Sequence, residues 1–386
     1  MKRINLIWII IIFFIVGCKQ SDTSNNEFVT IDITAKYPYK KLVLQDFMDV
    51  EYIPLETTDE FLCKGHIQAV GKNFIIAINQ NNDGNIYIFD CKGKALRKIN
   101  RKGQGGEEYL NVLNVTLDEN NGEIFVNDML AKKVIVYDLE GNFKRSFPHK
   151  NGLMYIEIYN FDRENLICHD AINDNIAKIS NAGQSFMLVS KQNGSITKEI
   201  QIPFKEKKSI LTKFYDEASG MYYTILPSSS LNPIISYYED YILVELSADT
   251  LYRYSPDQTM KPFMVRTPSI QSMEPEGYLF LSMLTDRYYF METFIKGNGY
   301  QADLMYDKQE KALFRYKVYN ADYTNDKEAY LKSRPLNSEI PFYQNLEAGD
   351  LVLNYEKGRL KGKLKEIASK LDPEDNPVIM LIKHKK

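Results

Sequence analysis

The chain is poor in the residues that carry covalent and metal chemistry. Four cysteines, four histidines and one tryptophan are spread over 386 residues. Cys18, Cys63, Cys91 and Cys168 follow no regular spacing, which excludes a disulfide framework and zinc fingers. The three cysteines after Cys18 leave room for one bridge or for buried free thiols. His66, His149, His169 and His384 stand alone, with no His-Glu-x-x-His pair and no Gly-x-Ser-x-Gly elbow. An excess of one charge is also missing. The net charge is −3, so there is no basic face for nucleic acid. Long apolar runs are absent too. Leu6–Val16 stops at 11 residues, short of the roughly 20 that a membrane-spanning helix needs.

That short run has another meaning. Lys2 and Arg3 precede it and Gly17-Cys18 closes it, the grammar of a signal peptide. Ile15-Val16-Gly17-Cys18 resembles a bacterial lipobox, with Ile where Leu is usual. The resemblance implies a leader over 1–17, lipidation of Cys18 and a flexible polar tether over 18–27. Lys19 after the cysteine implies delivery to the outer membrane, facing either the periplasm or the outside.

What the chain has in quantity is aromatic and β-branched residues, including 27 Tyr and 20 Phe, which favour strands. It also repeats itself. Residues 70–99 lie without a gap over 118–147, an offset of 48. Ile86–Asp90 falls on Val134–Asp138, Gly93 on Gly141 and Arg97 on Arg145. In each copy, strands are separated by polar turns and by an Asp-x-x-Gly turn, where glycine accepts positive φ. A repeat of this length predicts propeller blades.

The first two blades are expected over about 64–109 and 110–150. Looser copies follow at Asn165–Asp170 with Phe186–Val189, Tyr241–Leu246 with Asp249–Tyr254, and Tyr288–Thr293 with Asp303–Asp307. A sixth is read at Asp350–Asn354 with Pro377–Ile382. Segments 205–238 and 267–286 read as insertions, a ligand lid or a protein interface. Leu360, Leu364, Ile367 and Leu371 share one helical face, predicting one short helix ended by Asp372-Pro373. The fold expected is all-β, a six-bladed propeller over 28–386. Strands 50–55 and 378–383 meet in its last blade, because an open ring leaves an unpaired edge.

Four segments together, Tyr52–Thr57, Arg101–Tyr109, Asp249–Tyr254 and Asp375–Met380, resemble the six-bladed β-propeller lipoproteins of gut Gram-negative anaerobes. That family is related in architecture to NHL-repeat propellers. Its loop usually reads Lys-Gly-x-Gly-Pro-x-Glu-Tyr; here Gly106 replaces the proline. The motifs mark a family and not an activity.

Candidate ligand-binding residues are Arg101, Lys102, Gln104, Glu107, Asn127, Asp128, His169 and Asp170, expected on the face of the blade crossings, and Glu292, which another blade could point into the channel. No Gly-Lys-Ser/Thr follows the glycine-rich loop, so it is not a phosphate loop. Its glycines also suit a tight crossing. Asn79-x-Asn81-x-Asp83-Gly84 echoes a calcium loop without its first Asp and last Glu, and reads better as a solvated turn. No other metal is indicated. Lys205–Lys208 and Lys383–Lys386 read as solvated loop and tail.

The function expected is a cell-envelope binding or scaffold module, membrane-held through Cys18, for a glycan, peptide or protein. Two rivals stand beside it. One is a channel enzyme of metal-assisted hydrolase, lactonase or lyase type, drawing on Asn127, Asp128, Asp170 and Glu292. The other is an accessory subunit of an outer-membrane uptake system.

Overall fold

The segment that precedes the repeats is extended. Val29–Asp32 (β1) and Tyr39–Val43 (β2) are strands, one helical turn spans Leu44–Phe47 (α1), and Met48–Pro54 is β3. The first clean copy folds as His66–Val70 (β4), Phe74–Ile78 (β5), Asn85–Asp90 (β6) and Ala95–Asn100 (β7). The second folds as Asn114–Asp118 (β8), Glu123–Asp128 (β9), Lys133–Asp138 (β10) and Phe143–Pro148 (β11). Each is a four-stranded antiparallel sheet in chain order. Gly93 and Gly141 both sit at φ +85° in the turn before the outermost strand.

The looser copies obey the same rule. Tyr155–Asn160 (β12), Asn165–Asp170 (β13), Phe186–Ser190 (β14) and Ile196–Ile200 (β15) form the third sheet. A separate hairpin, Thr212–Asp216 (β16) with Met221–Ile225 (β17), follows it. Ile234–Tyr237 (β18), Asp240–Leu243 (β19), Thr250–Tyr254 (β20) and Met260–Thr267 (β21) form the fourth. Gly277–Leu284 (β22), Tyr288–Ile295 (β23), Gly299–Asp307 (β24) and Ala312–Tyr319 (β25) form the fifth. The sixth pairs Phe342–Leu346 (β26) with Val378–His384 (β27), and β27 with β3. The sheets are the blades of a six-bladed β-propeller.

The computed structural model describes residues 28–79, 83–150, 153–170, 184–210, 212–216, 221–225 and 232–385. The leader, Cys18 and the tether read from the sequence lie outside these residues.

Apolar faces of neighbouring blades form the core. Ile76, Ile78, Ile86 and Ile88 of the first blade pack on Ile124, Val126 and Ile135 of the second. The N-terminal segment wraps three blades in succession. β1 adds in parallel to the outer edge of β21, and β2 in parallel to β25. β3 then joins the sixth blade in continuous register with β27, from Met48↔His384 to Pro54↔Val378. One ring joint is thus made by the two ends of the chain.

The innermost run of the sixth blade is irregular. Leu336 N–H donates to Ile340 O, and Tyr343 N–H to Ser333 Oγ, in the antiparallel register of a first strand against β26. Pro335 lies between them and has no N–H to offer the ladder. This run therefore takes the place of a strand without being one.

Three expectations are corrected. Asp350–Asn354 is not a strand but the middle of a helix, Ala348–Glu356 (α2). It is followed by Gly362–Ala368 (α3), the short helix expected from the spacing of Leu364 and Ile367. Leu351 is buried in the core and Leu353 is 45% exposed, a helical division that a short apolar run does not reveal. The supposed insertion 267–286 contains β22, buried at every residue and innermost in its blade. Likewise 205–238 contains β18, the innermost strand of the fourth blade. Cys63, Cys91 and Cys168 are free thiols.

Candidate ligand-binding site at the channel mouth

Strand alternation assigns every turn to a face. The turns joining strands one and two of each blade, and three and four, lie on one face. The turns joining two and three lie on the other, with the blade-to-blade crossings. Residues 101–113 are such a crossing, between β7 and β8.

Several of the predicted residues on the crossing face hold the scaffold. Asp128 accepts from Leu110 N–H (2.6 Å) and Ala131 N–H (3.0 Å). Asp170 accepts from Met154 N–H at 2.8 Å, and in the first blade Asn79 accepts from Lys64 N–H at 2.8 Å. One device recurs in three blades: a polar residue ending the second strand holds an amide of the incoming crossing. Asn127 donates to Tyr155 O (2.9 Å), and its Oδ1 lies 3.0 Å from His149 Nε2. His149 Nδ1 faces Tyr155 N–H, so the neutral imidazole satisfies both neighbours. Burial depresses its pKa to about 4. His169 is buried against Phe186.

In the glycine-rich crossing, Arg101 donates to Gly141 O of the next blade. Tyr109, fully buried, donates to Gly84 O and accepts from Arg101 N–H. Glu108 closes the loop onto Gly105 N–H. Lys102, Gln104 and Glu107 are exposed. Glu292 lies elsewhere, on β23, 3.1 Å from Lys332 Nζ, which also pairs with Asp303. The structure thus groups Asn127, Asp128, His169 and Asp170 at the crossing ends of two adjacent blades and keeps Glu292 apart. Among the described residues no three His, Cys, Asp or Glu side chains form a group able to hold a metal ion. Asn79 and Asp83 of the calcium-like turn bond each other at 2.8 Å; Asn81 lies outside the described residues.

A cavity opens on the opposite face. It measures about 610 Å³ and none of the nine predicted residues lines it. Its rim is made of first turns from several blades: Gly71-Lys72, Glu119-Asn120 and Tyr238-Glu239. Tyr159 and Asn160 of β12 and Arg334 of the irregular run line it as well. Arg334 reaches across the axis. Its Nη2 donates to Gln68 O (2.9 Å) and Gln68 Oε1 (3.0 Å) in the first blade, and Nη1 is 3.6 Å from Glu157 in the third.

This region is polar and incompletely satisfied. Tyr159 OH, Glu157 Oε2 and Asn160 Oδ1 are buried and make no hydrogen bond of good geometry among the described residues. Glu157, Tyr159 and Arg334 are nonetheless within electrostatic reach of one another. Burial raises the Glu157 carboxyl above its usual range, against the pull of Arg334. It raises the Tyr159 hydroxyl further, with Glu157 adding to it.

Tyr238 marks the rim. It sits at φ +54° in the two-residue turn between β18 and β19, where glycine is usual. A bulky residue in that conformation is strained, and such strain gathers at functional sites. Its ring is 44% exposed and stacks on His384 at 5.4 Å, joining the fourth blade to the sixth.

A family model described as a domain of unknown function, DUF4934, matches residues 28–383. The chain belongs to this family. Among solved structures it is similar to a Bacteroides fragilis NCTC 9343 protein whose name calls it exported. Identity is 15%, TM-score 0.60, with 93% of this chain and 100% of that one covered. A member of the DUF4221 family from Bacteroides vulgatus is 9% identical with TM-score 0.47, over 88% of this chain and 98% of that one. The first likeness bears on the fold alone. Comparison with curated proteins finds no match.

Sequence reasoning missed Tyr159, Asn160, Tyr238 and Arg334. Pro335, next in sequence to Arg334, is the one local signal that could have pointed to the run holding Arg334.

Proposed function

We propose that this protein is a cell-envelope lipoprotein, held by a lipid on Cys18, whose propeller binds an oligosaccharide at the channel mouth. The observation that carries this reading is the pairing of a buried polar atom without a hydrogen-bond partner among the described residues, Asn160 Oδ1, with a strained, exposed aromatic, Tyr238, at the rim of the same cavity. Sugars demand both. Their hydroxyls replace hydrogen bonds that a buried polar group otherwise lacks, and their C–H faces lie on aromatic rings. Arg334, fixed by Gln68 and Glu157, presents a preorganised donor group without further ordering.

Isothermal titration of the full chain in detergent against a panel of neutral and uronate-bearing oligosaccharides tests this. Binding by one member, weakened on the order of tenfold by Tyr238→Ala and by Asn160→Ala, is expected. Absence of binding to every member, or binding that neither substitution weakens, defeats it. For the anchor, Cys18→Ala is expected to release the protein from the membrane fraction.

A further inference from the structure

A second cavity lies on the outer rim of the propeller. It measures about 600 Å³ and runs between β3 and α3. One wall is Glu51–Pro54 of β3. The other is a helical stripe, Lys363, Glu366, Ile367 and Lys370, at the i, i+3, i+4, i+7 spacing of one face. Cys91 and Lys92, from a turn of the first blade, close one end.

The floor of this groove is an open sheet edge. Leu55 N–H donates to Pro377 O, which fixes the phase of the β3–β27 ladder. Backbone groups at Asp49, Glu51, Ile53 and Leu55 therefore turn inward to β27. Those of Val50 and Tyr52 turn outward, because hydrogen-bonding direction alternates along a strand. Pro54 has the same phase as Val50 and Tyr52, so its missing N–H costs the ladder nothing. No backbone partner for Val50 or Tyr52 is seen on the outer side among the described residues.

The chain shows twice what such an edge accepts. On the fourth blade β1 adds to the outer strand, and on the fifth β2 does, both in parallel. On the sixth blade the corresponding position is this groove. The N-terminal segment does not fill it, since that segment has itself become β3 there.

Charge narrows the occupant. Glu51 is paired with Lys383, and Glu366 with Lys363 at 3.3 Å. Lys92 and Lys370 show no ion pair among the described residues, which leaves the rim cationic. We infer that this groove docks an extended acidic peptide segment of a partner protein, which adds as a further strand to the free edge of β3. Backbone bonds at Val50 and Tyr52 give the affinity, Ile53, Ile367 and Leu371 receive alternate apolar side chains, and Lys92 and Lys370 favour acidic ones. Glu51 to Pro54 spans about 10 Å at the strand rise, room for about three or four residues of the guest.

The test uses the full chain in detergent and two sets of eight-residue peptides, one alternating valine with glutamate and the other valine with lysine. Amide hydrogen exchange and fluorescence anisotropy are read together. The glutamate set is expected to bind and to slow exchange at Val50 and Tyr52, and the lysine set is not. Val50→Pro removes one outward N–H without touching the β27 ladder, and abolishes binding; because Val50 also packs against the core, a modest fall in melting temperature accompanies it. Should Val50→Pro unfold the chain, Lys92→Glu with Lys370→Glu serves. This surface pair weakens the glutamate set on the order of tenfold and admits the lysine set. Failure of the glutamate set to bind, equal binding of both sets, protection away from β3, or self-association that fills the groove overturns the inference. Oligosaccharide binding at the channel mouth is unaffected by all three substitutions, so the two sites stand or fall separately.

Discussion

Gly93→Ala probes the joint at which the ring closes. Gly93 lies in the turn between β6 and β7, at φ +85°, and its carbonyl accepts Glu56 N–H at 2.8 Å. A methyl group there runs into Pro54 O, a backbone atom of β3, with Ile53 Cγ2 also within 3.0 Å. Two costs are mixed in such a substitution, and this protein separates them. Gly122 has φ +63° and nothing within 4 Å of an added Cβ, so Gly122→Ala reports backbone strain alone, about 1–2 kcal/mol. Gly93→Ala carries a similar strain plus a clash that only movement of β3 relieves, about 1–3 kcal/mol more. The total expected is about 2–5 kcal/mol. Urea denaturation of both variants against the parent measures the difference. If the two alanine variants lose the same stability, the first blade does not press on β3 and the account of the joint fails.

Other consequences concern the scaffold. Lys191 and Asp118 form a buried pair at 2.6 Å, 1% and 2% exposed, between the third and second blades. Lys191→Met strands the carboxylate and is expected to cost about 3–5 kcal/mol by chemical denaturation; a loss under 1 kcal/mol contradicts the geometry. His149 is held neutral in the fold, its pKa falling from 6.5 to about 4 through burial. The unfolded chain takes up that proton first, so stability is full above pH 6.5 and declines as pH falls toward 4. The loss is about 3 kcal/mol by pH 4, and His149→Gln should flatten that part of a stability–pH profile. Ile31 is fully buried in β1. Ile31→Ala should cost about 2–5 kcal/mol in thermal unfolding, where a merely adherent N-terminus loses almost nothing.

The clean repeat was legible because its signal is local. Ile86–Asp90 and Val134–Asp138 carry the same alternation, the same closing Asp and the same glycine three residues later, and they became β6 and β10. The reading weakened where the pattern stopped being two-sided. β22 is apolar on both faces, since it packs against blades on either side, and so lost the alternation that marks a strand. Leu351-Val352-Leu353 is too short for its period to decide between strand and helix. β1 and β2 pair with strands more than two hundred residues away, and nothing within four or five residues announces such a partner.

For the site, the residues chosen from the sequence stood out because Asp128 and Asp170 end their strands in the same way. That regularity is the mark of a repeated staple, as their bonds to Leu110 and Met154 show. Arg334 sits in the stretch that departs most from the repeat, inside the irregular inner run and beside its proline.

The sequence alone determined the blades, the turns and the apolar faces that press blade on blade, because each depends on residues a few positions apart. Only the tertiary structure decided what meets at the axis and along the rim. Gln68, Glu157 and Arg334 come from the first, third and sixth blades, and the groove beside β3 exists because the chain's two ends share a blade. Ring closure brings these groups together, and no spacing along the chain encodes a distance across a ring.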